Sequence, residues 1–193
     1  MKKGFTLIEL LVVIAILAVL ATAVVLVLNP AELIRQSRDV TRIADLEAIN
    51  TALGFYLADV DPTLVNLAVA SGGTCPATAR CGAASTTSPI GAASIPRTCV
   101  VDETTEVDGN GWIDVNLGLI TGGSPLSSLP TDPSNTVPHF FYSYACNSAS
   151  TWYEINADME STKYSSGSSN VESKDGGDVD TVYEVGNDPG LDL

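Results

Sequence analysis

Apolar residues run without interruption from Leu10 to Leu28, with Thr22 the one polar position. At about 1.5 Å of rise per residue this run makes about 28 Å of helix. A bilayer's hydrocarbon core is roughly 30 Å thick, so the segment is long enough to span it. Beyond Asn29-Pro30 the pattern changes. Leu33, Val40, Ile43, Leu46, Ile49, Leu53, Tyr56 and Leu57 recur mostly at steps of three or four, which predicts an amphipathic helix as far as residue 58. Pro30 removes a backbone donor and crowds the preceding turn, so a kink or short unwound stretch is expected there. Charges fall at pairing distance along this helix: Glu32 with Arg35, Arg35 with Asp39, Arg42 with Asp45. Each such pair is worth only a few tenths of a kcal/mol, so the apolar stripe dominates and predicts packing on whatever follows.

Asp61-Pro62 stops the helix. The stretch from Ser71 to Pro96 is rich in Ala, Gly, Ser, Thr and Pro and reads as a long loop with at most short helical turns. Strand signals begin at Thr98. Thr98 to Val101 is a short candidate, and Trp112 to Leu119 alternates in part. Phe140 to Cys146 and Thr151 to Met159 flank the turn-like Asn147-Ser148-Ala149-Ser150, which predicts an antiparallel hairpin. Tyr153, Ile155, Ala157 and Met159 alternate with Glu154, Asn156, Asp158 and Glu160, the pattern of a strand with one buried face. Ser165 to Gly177 is polar, and Val179 to Val185 is a last short strand. The predicted class is α+β: a long kinked amino-terminal helix packed on a small antiparallel sheet.

Composition narrows the partners. Nine basic residues stand against 23 acidic ones, a net charge of −14. Such a surface repels nucleic acid and anionic lipid. Only Arg80, Arg97, Lys163 and Lys174 lie beyond the helices, too few for a basic patch. Four cysteines, Cys75, Cys81, Cys99 and Cys146, all follow the apolar segment. An even number in an exported domain points to two disulfides, with three connectivities open. A short loop joins Cys75 to Cys81, while Cys99 and Cys146 each lie at a candidate strand. The expected pairs are therefore Cys75–Cys81 and Cys99–Cys146.

Glu9 is the odd residue of the amino-terminal segment. A carboxylate in an apolar helix is expensive and marks a functional candidate whose partner has to be found. A plain signal anchor would leave Glu9 at the head groups. A cleaved secretory signal, with Ala21-Thr22-Ala23 as its processing site, accommodates Glu9 badly and leaves Val24 to Leu28 as an apolar new terminus. The order Lys2-Lys3-Gly4-Phe5-Thr6-Leu7-Ile8-Glu9, followed by the apolar run, resembles the leader and cleavage site of type IV prepilins and of the pseudopilins of type II secretion. The resemblance implies cleavage between Gly4 and Phe5, N-methylation of Phe5, and a role for Glu9 in assembly.

It also implies a division of the chain. Residues 1–4 are a cytoplasmic leader, 5–29 a transmembrane and assembly helix, and 30–58 the amphipathic helix of the globular domain. Residues 59–98 are a variable loop region, and 99–193 a sheet domain with an acidic tail. Loss of Lys2 and Lys3 with the leader leaves seven basic residues, and a charge of −16. Arg35, Arg38 and Arg42 follow the apolar run, so counting basic residues does not by itself orient the segment. The resemblance and the cysteines place the leader in the cytoplasm and the bulk of the chain outside, in a single-pass protein.

The implied function is a structural subunit of a type IV pilus-like filament at the cell surface or in the periplasm. The implied partners are further copies of itself, a prepilin peptidase and methyltransferase, an inner-membrane assembly platform and membrane lipid. The alternatives are a major-type pseudopilin of type II secretion, or a membrane-anchored extracytoplasmic binding domain that does not polymerise. Gly111-Trp112-Ile113, Leu129-Pro130-Thr131-Asp132-Pro133 and Tyr153-Glu154-Ile155-Asn156-Ala157 look like pieces of major pseudopilins and Gram-positive-like pilins. Ser134-Asn135 departs from that pattern, where an aromatic residue and Gly usually follow.

Cofactor chemistry has two candidate places, both for calcium. Asp108 and Asn110 fit the first and third positions of an EF-hand loop that runs on through Asp114, but Trp112 fails the fifth and Leu119 the twelfth. Asp175, Asp178 and Asp180 form a second acidic group. Major pseudopilins bind calcium in their carboxy-terminal loops, although these three match no such loop. A Gly-rich turn and a solvated acidic turn explain the two places without a metal. No catalytic motif is present, and His139, the single histidine, reads as structural.

Overall fold

In this computed structural model of the chain, residues 4–69, 73, 75, 79–82, 99–136, 139–147 and 151–193 are described. Thr98, the hairpin residues Ser148 to Ser150, and most of the expected 71–96 loop lie outside them. The chain divides into two compact units, Met1–Arg35 and Gln36–Leu193.

In the first unit, helix α1 covers Leu7–Leu28. Its 22 residues give about 33 Å, and it is long and apolar enough to cross a membrane. Its described side chains are exposed all round, Ile8 through Leu28 included. The helix ends at Asn29, whose φ of 41° lies in the left-handed region that Asn tolerates better than most residues. Pro30 then opens helix α2, Pro30–Asp59. Proline suits the first position of a helix, where its missing N–H would have no partner. The disturbance expected at Asn29-Pro30 is therefore a one-residue break between two regular helices.

The second unit is built around α2 from Gln36 onward and a five-stranded sheet. The strands are β1 (Ala79–Gly82), β2 (Cys99–Val101), β3 (Tyr142–Asn147), β4 (Trp152–Ala157) and β5 (Tyr183–Gly186), in the order β2-β1-β3-β4-β5. All neighbours are antiparallel except β1 and β2. Leu46, Ile49, Leu53 and Tyr56 form the buried stripe of α2, against Tyr142, Tyr144, Tyr153 and Ile155 of the sheet. Truncating one such residue, Leu46→Ala for example, should cost about 2–5 kcal/mol. Tyrosine hydroxyls finish the join. Tyr142 donates to Asp45 at 2.8 Å and Tyr153 to Asn50 Oδ1 at 2.7 Å, so two strands are pinned to the helix by their tips.

Several expectations need correction. Strand β1 lies inside the segment read as a loop, and the sheet begins before residue 99. Its four residues, Ala-Arg-Cys-Gly, carry no strand signature and are held by neighbours on both sides. Trp112 to Leu119 is not a strand. Gly109 and Gly111 make a turn, and Leu117–Leu119 is a 3-10 turn capped by Asn116. Trp112, Ile113, Val115 and Leu117 are nevertheless buried, because the segment lies across the helix–sheet core. Trp112 sits directly over Gly82, where an added Cβ would meet its ring at 3.0 Å. A short helix α3 (Thr162–Ser165), capped by the buried Ser161, precedes the polar stretch.

Strand β4 is buried on both faces. Tyr153, Ile155 and Ala157 face α2, while Glu154 and Asn156 are covered from the other side, with Glu154 accepting the N–H of Leu193 at 2.8 Å. The sheet's second face also carries a small apolar cluster of Ala79, Cys81, Phe141, Ala145 and Val182, flanked by Val179 and Leu193. The carboxy-terminal region is thus a third layer.

The cysteines pair otherwise than expected: Cys75 with Cys146, and Cys81 with Cys99. The physical reason is β1. It carries Cys81 into the sheet beside β2, within reach of Cys99, which leaves Cys75 to pair with Cys146 on β3. Peptide mapping of the exported protein without reductant should recover Cys75–Cys146 and Cys81–Cys99 linked peptides. Recovery of Cys75–Cys81 would contradict this topology.

Candidate functional site

The amino-terminal motif leads directly into the first turn of α1. Gly4 and Phe5 are exposed and precede the helix, Phe5 with 78% of its surface accessible. Thr6 caps α1 in an extended conformation, and its hydroxyl accepts the N–H of Glu9 at 3.3 Å. In return, the Glu9 carboxylate accepts the Thr6 N–H at 2.9 Å and the Thr6 hydroxyl at 2.6 Å. This is a complete capping box, which satisfies two backbone donors at a helix start. The partner of Glu9 is thus its near neighbour Thr6, and Thr-x-x-Glu before an apolar run is the sequence signature of such a box.

A second constellation was not anticipated at all. Arg42 projects from α2 and is fully buried. Its Nε and Nη2 grip the two oxygens of Asp132 at 2.6 and 2.9 Å. Nη1 reaches Asp39 at 2.7 Å, and Nη2 also reaches Glu160 at 2.5 Å. The ring of Phe140 lies 5.0 Å from the guanidinium carbon. Arg38 binds Glu160 through two nitrogens. Two cations thus meet three carboxylates contributed by α2, the 132–134 turn and the link between β4 and α3. The expected Arg35–Asp39 and Arg42–Asp45 pairs do not form: Asp39 and Asp45 are taken by Arg42 and Tyr142. Only Glu32 and Arg35 approach as expected, at 4.0 Å.

The carboxylates also order backbone. Asp39 accepts the N–H groups of Glu160 and Ser161, at 2.9 and 2.8 Å, and so fixes the start of α3. Asp132 accepts those of Ser134 and Asn135, at 2.7 and 3.1 Å. Ser134, at the departure from the pseudopilin pattern, donates its hydroxyl to Glu160 at 2.6 Å. Burial opposes the charge on Arg42, but Asp132, Glu160 and Asp39 outweigh it and raise the guanidinium above its usual value. Burial likewise pushes Glu160 up, but hydrogen bonds from Arg38, Ser134 and Arg42 bring it down to about 2.

The calcium candidates are dispersed. Asp108 accepts from the backbone and side chain of Asn110, and Asp114 is buried with Arg80 3.8 Å away. Asp175 caps the N–H groups of Gly177 and Glu184, while Asp178 and Asp180 are exposed. Among the described residues no group of three or more His, Cys, Asp or Glu side chains converges as a metal site would require. His139 lies 3.6 Å from Asp158, whose carboxyl burial pushes up to about 6 against the pull of His139 and Arg42.

Residues 1–25 match the prokaryotic N-terminal methylation motif. No curated protein and no solved structure matches the chain. Motif and fold together match the pattern of the type IV prepilins and pseudopilins. In this prepilin-like chain the motif and the Arg42 cluster sit in different units. One is the exposed end of an apolar helix. The other fixes the globular domain onto the amphipathic helix.

The cluster makes two predictions. Arg42→Met strands the buried carboxylates of Asp39 and Asp132 and should destabilise the globular domain by about 3–5 kcal/mol, read as a lowered melting temperature of the full chain in detergent. Arg42→Lys should restore little, because a lysine lacks the fork that grips Asp132. Glu160 has a lowered pKa, so its contribution is complete above the ordinary carboxylate range and is lost as pH falls from about 4.5 towards 2. Glu160→Gln should flatten stability across that window, and an unchanged acid limb would contradict the assignment.

Proposed function

We propose that this chain is the precursor of a filament subunit, cut between Gly4 and Phe5, N-methylated on Phe5, and polymerised through α1. The observation that carries this reading is the methylation motif at the head of a helix that is apolar on every face. A helix of that kind is stable in lipid and equally so among copies of itself, because either surrounding keeps its backbone bonds internal and its side chains dry. Assembly then exchanges lipid contacts for helix contacts, and the globular unit rides outside the bundle. The amino terminus lies in the cytoplasm before processing, the disulfide-bearing domain lies outside, and the role is structural rather than catalytic. A pilus and a secretion pseudopilus call for the same partners: a leader peptidase with methyltransferase activity, and a membrane platform that feeds subunits in.

Glu9 is the switch residue of this reading. In the uncleaved chain its carboxylate is satisfied by Thr6. Cleavage turns the Thr6 neighbour, Phe5, into a new amino terminus whose cation lies about one helical turn from Glu9. Pairing with that amine, of the same or a neighbouring copy, removes an otherwise unpaired charge from a dry interface. Intact-mass analysis of subunit from the native host should show a chain starting at Phe5 with one added methyl group. Glu9→Ala and Glu9→Gln should be inserted and cleaved normally yet yield far less sheared filament than wild type. A mature chain starting at Val24 would end the processing reading, and wild-type filament yield from both variants would end the role of the charge. A membrane-anchored domain that never polymerises predicts no filament from any of the three.

A further inference from the structure

The second face of the sheet holds a row of polar side chains where an apolar row would be expected. Ser143, Asn156 and Glu184 are direct neighbours across β3, β4 and β5, and Glu154 lies two residues from Asn156 on the same face. All four are at most 3% exposed. The Glu184 N–H is donated to Asp175, away from β4, so Asn156 and Glu184 form a non-hydrogen-bonded pair, the type whose side chains approach most closely. The Asn156 amide donates to Glu154 at 2.7 Å, and its oxygen is buried with no partner. Turning the amide over would set its oxygen against Glu154 and lose that bond. The oxygen therefore needs a donor from elsewhere, and Glu184 is the direct cross-strand neighbour of Asn156.

We infer that Glu184 carries a proton in the folded domain and donates it to the Asn156 amide oxygen, and that this bond latches the 171–182 segment onto the sheet. The latch is tight because the segment is built over Glu184. Its carboxylate accepts the N–H of Val179 at 3.1 Å, and Gly177 packs so closely that an added Cβ would overlap the Glu184 carboxyl. The charged groups around Glu184 are mostly of its own sign. Glu154 faces it from β4, and Asp175 and Asp178 from the covering segment. Lys174 is the one basic residue lining the cleft of about 460 Å³ beside Glu184, and its ammonium donates to the Ser168 carbonyl. Asp188, on the tail that follows β5, accepts the Asp192 N–H. Burial, followed by Glu154, Asp175 and Asp178, raises the Glu184 carboxyl to about 8. A cation is the rival way to satisfy such oxygens, but the carboxylates do not converge as a metal site would require.

The sign follows from linkage. An open segment exposes Glu184, which then ionises near 4.5, whereas the closed segment keeps the proton to about 8. Opening is therefore rarest in acid, grows as pH rises between these values, and levels off above them. Hydrogen exchange of peptides within 171–182, measured on the full-length processed chain in detergent from pH 5 to 9 and corrected for intrinsic exchange, reads this directly. Glu184 makes the opening constant rise by up to tenfold per pH unit. Glu172, also raised by burial, to about 7, adds a slope of its own. The test is consequently the difference between wild type and Glu184→Gln, whose amide mimics the protonated acid. The variant should lose the Glu184 share of the slope and be better protected than wild type at pH 8. A difference that does not change with pH would overturn the latch. Carbon-13 titration of the Glu184 carboxyl supplies a readout independent of opening. Its midpoint should fall in Asn156→Ala, which removes the acceptor, and an unmoved midpoint would overturn the proposed bond. Protection of 171–182 that follows added calcium chloride or chelator instead of pH would replace the proton by a cation.

Discussion

A single buried cation organises the globular unit. Arg42 takes carboxylates from its own helix, from the 132–134 turn and from the link between β4 and α3, so three segments far apart in sequence share one charge. A buried ion of this kind is stable only while every partner is in place, because each unpaired charge costs several kcal/mol. The consequence is geometric. Asp132 cannot hold Arg42 without placing Pro130, whose carbonyl accepts the Trp112 indole N–H at 3.1 Å. Trp112 in turn lies over Gly82 on β1. The sequence pieces around Trp112 and Asp132 are therefore two ends of one brace that runs from the helix to β1.

The acidity of the chain is spent in two opposite ways. Around Arg42, carboxylates are paired, and Glu160 gains stability as it ionises. Over the second sheet face, burial raises Glu172 and Glu184, so ionisation works against the fold. The two effects pull the optimum towards mildly acidic conditions, above the range in which Glu160 takes a proton and below that in which Glu184 loses one. A net charge of −14 says nothing of this division, which depends on which carboxylates the layers enclose.

Much of the architecture was legible. The apolar run, the break at Asn29-Pro30, the amphipathic stripe and the hairpin of β3 and β4 follow from periodicity and from proline's missing donor. The misses share a cause. Periodicity assigns charged residues to solvent, so Arg42 and Asp39 were placed outside, while Val40, next to them, was placed inside and is exposed. The alternation in β4 predicted Glu154 and Asn156 at the surface, and a third layer covers them. Strand β1 has no residue of high strand preference and exists because β2 and β3 flank it. The disulfide pairing depended on that strand. At the amino terminus the opposite holds: the methylation motif and the apolar helix that follows it were readable, because both are local features of the chain, and only the Thr6 cap was overlooked.

Two designs thus share one chain. The globular unit is held by internal pairing, and the described side chains of α1 are exposed and largely apolar on every face. In the proposed filament these side chains are covered by copies of the same helix. A photoreactive amino acid at Ile16, activated in cells of the native host, tests it directly. Polymerisation through α1 predicts a ladder of covalent dimers and higher oligomers in the sheared filament fraction, joined within residues 7–28. Crosslinks to lipid alone, with the subunit monomeric and confined to the membrane fraction, would contradict it.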